Sequence, residues 1–512
     1  MTAKLLMLQG TGSSVGKSAL VAGLCRLYHR RGVRVAPFKA QNMALNSFIT
    51  VQGDEIGRAQ AVQAEACGLK PHVDMNPVLI KPNSDTGAQV IIHGKPVANM
   101  SAVVYHAYKE TAWQAVSSSL ARLRQTYDLV IIEGAGSPAE INLRDKDIVN
   151  MGLATRVKAP VLLLGDIDKG GVFASLVGTM ELLEEDEREL IKGFIVNKFR
   201  GDVTLLAPGL EMIGARCKVP FVGVVPWFGK EIYLPEEDGV ALQNSGHDER
   251  RDEPGSAFGA TLAIGVIRLA HISNFTDFDP LLHEPGVRLD YLDAHATLVG
   301  YHLIILPGSK NTLEDLVSLQ AADLPRRLQA FVDAGGAVVG ICGGFQMLGH
   351  RLRDLQMIES GRGEIAGFGL LPLLTEMAPE KITVQCRARV ISSCFGPDLT
   401  VSGYEIHQGR TTLVEPAESL LQVTQADGVQ YSDGCVAGGG RVWGCYMHGV
   451  FDDEGFRKAY LAWLRVHLAN ARPSSFSEGI SYRQRKEDGL NGLADLLQKA
   501  LDMKMIDQLA GL

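Results

Sequence analysis

Apolar runs of strand length alternate with amphipathic stretches through the first half of the chain. Lys4 to Gln9, Val33 to Phe38, Leu129 to Ile132, Val161 to Leu164, Phe194 to Val196 and Phe221 to Val225 are continuous enough to be strands buried on both faces. Between them, Ala19 to Arg30, Ile56 to Cys67 and Thr179 to Ile191 space their apolar residues as helices do. Strand and helix in alternation predict a parallel, doubly wound sheet. The pattern lapses in the polar stretch Gln243 to Ser256, so a linker is expected over residues 243–258. Buried strands resume at Leu262 to Leu269, Leu303 to Leu306 and Ala337 to Ile341, and from Ile382 to Tyr446 the pattern turns to short extended segments. The expected fold class is therefore α/β, with two doubly wound, mostly parallel-sheet domains at 1–242 and 259–455 and a C-terminal helical extension at 456–512.

Composition narrows the function classes. A chain of 512 residues is too long for one core and suits two domains, and 46% hydrophobic content with 56 glycines suits a loop-rich α/β protein. A net charge of −8 without a basic block argues against nucleic acid as the main partner. Eight cysteines without paired spacing point to reduced thiols in a cytoplasm, and to neither a disulfide frame nor a zinc site. No apolar stretch reaches membrane-spanning length and no signal peptide is expected.

Two glycine patterns carry the chemistry. Gly340-Ile341-Cys342-Gly343-Gly344-Phe345-Gln346 sets one cysteine between glycines where a buried strand meets a helical pattern. So tight a turn leaves no room for β-carbons beside it and pushes the thiol out as an attacker. Its base is expected at His448, in Trp443-Gly444-Cys445-Tyr446-Met447-His448, and the turn after Leu303 to Pro307 offers Gly308, with Gly343, as backbone donors to an oxyanion. Near the N-terminus, Gly10-Thr11-Gly12-Ser13-Ser14-Val15-Gly16-Lys17-Ser18 lies between a strand and a helix. There backbone N–H groups wrap phosphates, Lys17 neutralises them and the Ser18 hydroxyl ligates Mg²⁺. One residue more than the standard spacing separates Gly10 from Gly16.

This part of the chain resembles P-loop enzymes, and that resemblance implies that Glu133, at the end of a strand, holds Mg²⁺, the alternative being a turn carboxylate, and that Asn197 reads an adenine, the alternative being a cap on its own turn; Asp54, before the helix Ile56 to Cys67, is a second metal candidate. Lys39, Gln41, Asn42, Asn46 and Lys81 follow predicted strands and are either plain solvated loop residues or candidates to hold the acceptor that the family resemblance given below implies. Asp145 and Asp147 are candidates to position a nucleophile or metal, at least one of them being a plain loop charge.

The cysteine elbow, the histidine and the strand-Pro-Gly turn resemble class I glutamine amidotransferases, and the phosphate loop resembles dethiobiotin-synthetase-like P-loop enzymes. The first resemblance implies a glutamyl thioester on Cys342 and release of ammonia. Most of that family place an acid two residues after the histidine; here Val450 stands there, as in the corrin-amidating branch. His448 is then expected to be a poorly oriented base with low basal glutaminase activity. The blocks Lys39 to Ser47, Gly57 to Gln60, Met75 to Pro82, Glu133 to Leu143 and Gly403 to Arg410 together resemble the cobyric acid synthase family. That resemblance implies ATP, Mg²⁺, glutamine and a corrinoid acid as cofactors and substrates. The implied reaction is amidation of the b, d, e and g carboxylates of adenosylcobyrinic acid a,c-diamide through acyl phosphates. The alternatives are a cobyrinic acid a,c-diamide synthase and, more remotely, a P-loop ATPase switch with a non-catalytic glutaminase-like partner domain.

Overall fold

The computed structural model describes residues 2–82, 87–229, 231–235, 261–396, 398–425, 428–468 and 480–512; the linker expected at 243–258 lies outside them. The chain forms two compact units, one of residues 1–44, 54–235 and 484–512, the other of residues 45–53 and 236–483. Among the described residues no helix is long and apolar enough to cross a membrane.

In the first unit β1 (Lys4–Gly10), β2 (Val35–Phe38), β3 (Leu129–Glu133), β4 (Val161–Asp166), β5 (Ile191–Phe199) and β6 (Phe221–Pro226) form a six-stranded sheet in the order β6-β5-β4-β1-β3-β2. Every neighbouring pair is parallel. Successive residues of a strand face opposite sides, so Met7, Val130, Ile132 and Leu163 join one core while Leu6, Leu8, Leu129, Ile131 and Leu162 join the other. Burial on both faces is why these strands read as unbroken apolar runs. The second core packs against α1 (Lys17–Arg30), the helix that leaves the phosphate loop.

Three features depart from the sequence pattern. The helix expected over Thr179 to Ile191 is instead Val172–Leu182 followed by Glu185–Arg188, because Glu184 and Glu187 form a reciprocal capping box that starts a new helix. A four-stranded sheet of Gln41–Met43, Val78–Pro82, Gly87–Ile92 and Lys95–Ser101 lies beside the parallel one. The expected C-terminal extension is divided: Glu454–His467 buries Phe456, Tyr460, Leu461 and Leu464 in the second unit, whereas Tyr482–Ala500 and Met503–Ala510 pack in the first.

In the second unit β7 (Leu262–Ile267), β8 (Val287–Leu292), β9 (Leu303–Leu306), β10 (Ala337–Ile341), β11 (Cys435–Ala437) and β12 (Val442–Cys445) form a sheet ordered β8-β7-β9-β10-β12-β11. It is parallel except at its β11 edge. The segments after Ile382 are not all short: Leu373–Val390 and Thr400–Leu413 pair as a long antiparallel hairpin.

Candidate active site

Cys342 follows β10 at φ 51° and ψ −106°, a positive-φ conformation that a β-branched or bulky residue rarely adopts. The glycines around it are required by space. A β-carbon on Gly344 would lie 2.0 Å from Leu306 O, and one on Gly340 would lie 2.6 Å from Gly344 O. A β-carbon on Gly343 would stand 2.8 Å from Ser309 N, so the elbow and the turn carrying Gly308 close on one another. Gly308 pairs with Ser273 across a short antiparallel ladder, which fixes that turn.

β12 leads directly to His448, whose ring is buried at 1% exposure, and the Cys342 thiol, whose charge acts on that ring, donates to Ile406 O at 3.6 Å. The backbone N–H and C=O of His448 bond those of Tyr404, and the two rings stack with centroids 5.3 Å apart. Across the ring, Nδ1 meets Asp277 Oδ2 at 2.6 Å, and Asp277 Oδ1 accepts from Gly449 N at 3.2 Å. Burial acts to lower the His448 pKa, but the charges of Asp277 and of a Cys342 thiolate outweigh it and push it up to about 10. The orienting group left unidentified by the sequence has a candidate here: Asp277, 171 residues upstream, faces the ring, and Val450, at 1% exposure, is core. No local spacing marked Asp277; its one signal was its place in the connection that follows β7, on the side of the carboxyl ends of the parallel strands, where such sites gather.

Beside this pair, Gln346 Nε2 donates to Tyr446 Oη at 3.3 Å and its Oε1 is buried without a partner. His407 stacks on Tyr446 at 3.6 Å and bonds Gly409 O through Nδ1 at 2.8 Å, so it stands apart from the base position.

In the first unit the loop from Gly10 to Gly16 joins β1 to α1. A β-carbon on Gly10 would meet Val15 at 2.4 Å, and Gly16 has φ 98°. Thr11 N is tied to Leu164 O at 2.9 Å, while Gly12 is half-buried and Ser13 exposed along the rim. Lys17 Nζ bonds Gly12 O at 2.9 Å and Gly136 O at 3.0 Å. Ser18 Oγ donates to Glu133 Oε1 at 2.7 Å, Lys39 Nζ lies 2.8 Å from the same oxygen, and Gln63 Nε2 donates to Oε2 at 2.6 Å. Gln63 was not anticipated. Asn197 neither caps its own turn nor stands clear of the loop: Nδ2 donates to Val15 O at 2.8 Å, and Oδ1 is buried without a partner.

Ser18 and Glu133 are hard oxygen donors at a phosphate loop, the donor set Mg²⁺ takes alongside nucleotide phosphates. Asp54 is not brought to them; Oδ1 pairs with Lys95 at 3.0 Å on the neighbouring hairpin. Of the acceptor candidates, Lys39 is committed to Glu133 and Lys81 forms a buried pair with Glu55 at 2.9 Å. Gln41 accepts from Tyr105 and Asn42 donates to Gln60. Asn46 belongs to the second unit, where its Oδ1 accepts from Phe275 N at 3.2 Å. Asp147 is structural: its carboxylate takes the N–H groups of Val149, Asn150 and Gly152 and caps a helix start, while Asp145 is an exposed charge on the 3-10 helix Ile141–Lys146.

Residues 6–237 match the CobQ/CobB/MinD/ParA nucleotide binding domain family, and residues 263–456 match the CobB/CobQ-like glutamine amidotransferase domain family. The cobyric acid synthase of Syntrophobacter fumaroxidans is 48% identical over 515 residues, covering 100% of this chain and 99% of its own. That of Desulforudis audaxviator is 50% identical over 514 residues with 100% of both covered, and that of Yersinia enterocolitica 48% identical over 510 residues, covering 98% and 97%. With both site-bearing units matched in order and likeness running from end to end, the chain belongs to the cobyric acid synthase family.

Proposed function

We propose that this protein is a glutamine-hydrolysing, ATP-dependent amidoligase of cobalamin biosynthesis that amidates the b, d, e and g carboxylates of adenosylcobyrinic acid a,c-diamide to give cobyric acid. The observation that carries the reading is the end-to-end likeness to cobyric acid synthases. In the second unit, the Cys342 sulfur attacks the side-chain amide carbon of glutamine, the backbone N–H groups at Gly308 and Gly343 receive the charge on its oxygen, and His448 hands its proton to the departing ammonia. His448 then takes a proton from the water that cleaves the thioester, releasing glutamate.

In the first unit, Lys17 and the loop amides from Gly10 to Ser18 hold the phosphates of ATP, and a carboxylate oxygen of the acceptor displaces ADP from the γ-phosphorus. Ser18 and Glu133 would hold Mg²⁺, which when bound spreads the charge of the transferring phosphoryl group. Ammonia attacks the acyl carbon and phosphate leaves, so a poor electrophile has acquired a leaving group. Asn197 supports the loop from behind and leaves one oxygen to read the base of the nucleotide.

The test is turnover of ATP and glutamine with and without the corrinoid a,c-diamide, with mass spectrometry following each exchange of carboxyl for amide. The expected outcome is coupled turnover and product amidated at b, d, e and g. Turnover only with the unamidated corrinoid, ending at the a,c-diamide, overturns the substrate assignment in favour of the sibling enzyme.

A further inference from the structure

We propose that Asp277 is the positioning residue of the glutaminase reaction, fixing the tautomer and orientation of His448 from a turn remote in sequence. The inference rests on the reading of Cys342 and His448 as the glutaminase pair. A carboxylate that accepts from Nδ1–H directs Nε2 to the thiol and stabilises the imidazolium that forms when the thiol gives up its proton. The 2.6 Å contact to Oδ2 is of that kind, and the bond from Gly449 N to Oδ1 locks the carboxylate to the backbone beside the histidine.

The turn that carries Asp277, Phe275–Phe278, is itself held. Asn274 precedes it at φ 52°, accepts from Ser47 N at 3.0 Å through Oδ1 and keeps Nδ2 3.3 Å from His448 Nε2. Phe275 N donates to Asn46 Oδ1, and Tyr404, stacked on His448, donates its hydroxyl to Ser47 O at 3.1 Å. Asn46 and Ser47 thus brace the turn on one side and the stacked tyrosine on the other. Among the described residues the titratable groups facing the ring are Asp277 from the turn, Cys342 from the elbow and Tyr404 from Thr400–Leu413.

The test compares wild-type protein with Asp277→Asn and Asp277→Glu for glutaminase kcat, KM and pH profile, with ammonia-driven synthesis as the measure of an intact first unit. Asp277→Asn is expected to lower kcat about a hundredfold or more while KM changes by less than about threefold. The alkaline limb of kcat/KM should move to lower pH, since the neutral amide no longer holds the proton on His448, and ammonia-driven synthesis should stay at the wild-type level. Asp277→Glu keeps the charge and is expected to lose only about tenfold in kcat with the limb in place; if the Asn variant does not fold, a displaced limb in the Glu variant overturns the proposal. An Asn variant with wild-type kcat and pH profile also overturns it, provided Cys342→Ser abolishes glutamine hydrolysis. If Cys342→Ser itself still hydrolyses glutamine, the underlying glutaminase reading fails instead.

Discussion

Cys342 is held in a conformation that an L-residue adopts at a cost, between glycines at which a β-carbon would collide with neighbouring backbone. On the proposed mechanism the thiol serves only the glutamine half, so Cys342→Ser is expected to suppress glutamine-driven synthesis by roughly a thousandfold or more while leaving ammonia-driven synthesis within about twofold of wild type; product formed from each nitrogen source reads the outcome. A second buried acid nearby has a different effect. Burial first, and then the charge of Glu405, push the Asp433 pKa up to about 8, even though it accepts from Tyr446 N. The folded protein therefore binds a proton there that the unfolded chain has lost above its ordinary value of 3.8, so this group's stabilisation is full below that value and is lost as pH rises through about 8. Asp433→Asn, which keeps an acceptor for Tyr446 N, should flatten the fall in melting temperature between pH 5 and 8, taken over the window the shift defines; an unchanged slope contradicts this.

At the scale of elements, β10 and the helix after it (Gly343–Met347) meet where backbone approaches backbone, and no side-chain rotation relieves a contact of 2.0 Å between a β-carbon on residue 344 and Leu306 O. Gly344→Ala is expected to destabilise the second unit by about 1–3 kcal/mol and to displace the Cys342 thiol, costing a hundredfold or so in glutamine-driven synthesis. Thermal unfolding and glutaminase assays check the two effects; a wild-type melting temperature sinks the steric reading. The same logic made both glycine loops legible from residue order alone, since their constraints act between near neighbours. The mixed sheet from Gln41 to Ser101 was missed because two of its strands lack a continuous apolar run, Gln41–Met43 being three residues long and Lys95–Ser101 exposed over most of its length.

Across the whole molecule, the chain returns its last two helices to the first unit. Leu493, Leu497 and Ile506 are fully buried, and a β-carbon on Gly23 of α1 would lie 2.5 Å from Leu497. Arg26 pairs with Glu487 and Arg31 with Asp507 at their rim. Each buried leucine contributes roughly 1.5–3 kcal/mol, and α1 begins at the phosphate loop. A chain ending at Arg483 should therefore lose about 10 °C or more in melting temperature, with weakened ATP binding; equal stability and nucleotide affinity would contradict the packing.

The order of residues by itself determined the two parallel sheets, the elbow at Cys342, the histidine at the end of β12 and the loop from Gly10 to Ser18. Each is written in local rules: strands buried on both faces must be apolar throughout, and turns crowded by backbone must be glycine. Tertiary structure alone decided that Asp277 faces His448, that Asn46 serves the second unit, that Lys81 is neutralised by Glu55, and that residues 484–512 complete the first unit. With 58 acidic residues in the chain, no spacing rule selects the one that reaches an imidazole 171 residues away. That choice is made by the packing of strands and turns around a shared core, which brings together side chains whose separation along the chain carries no trace of their contact.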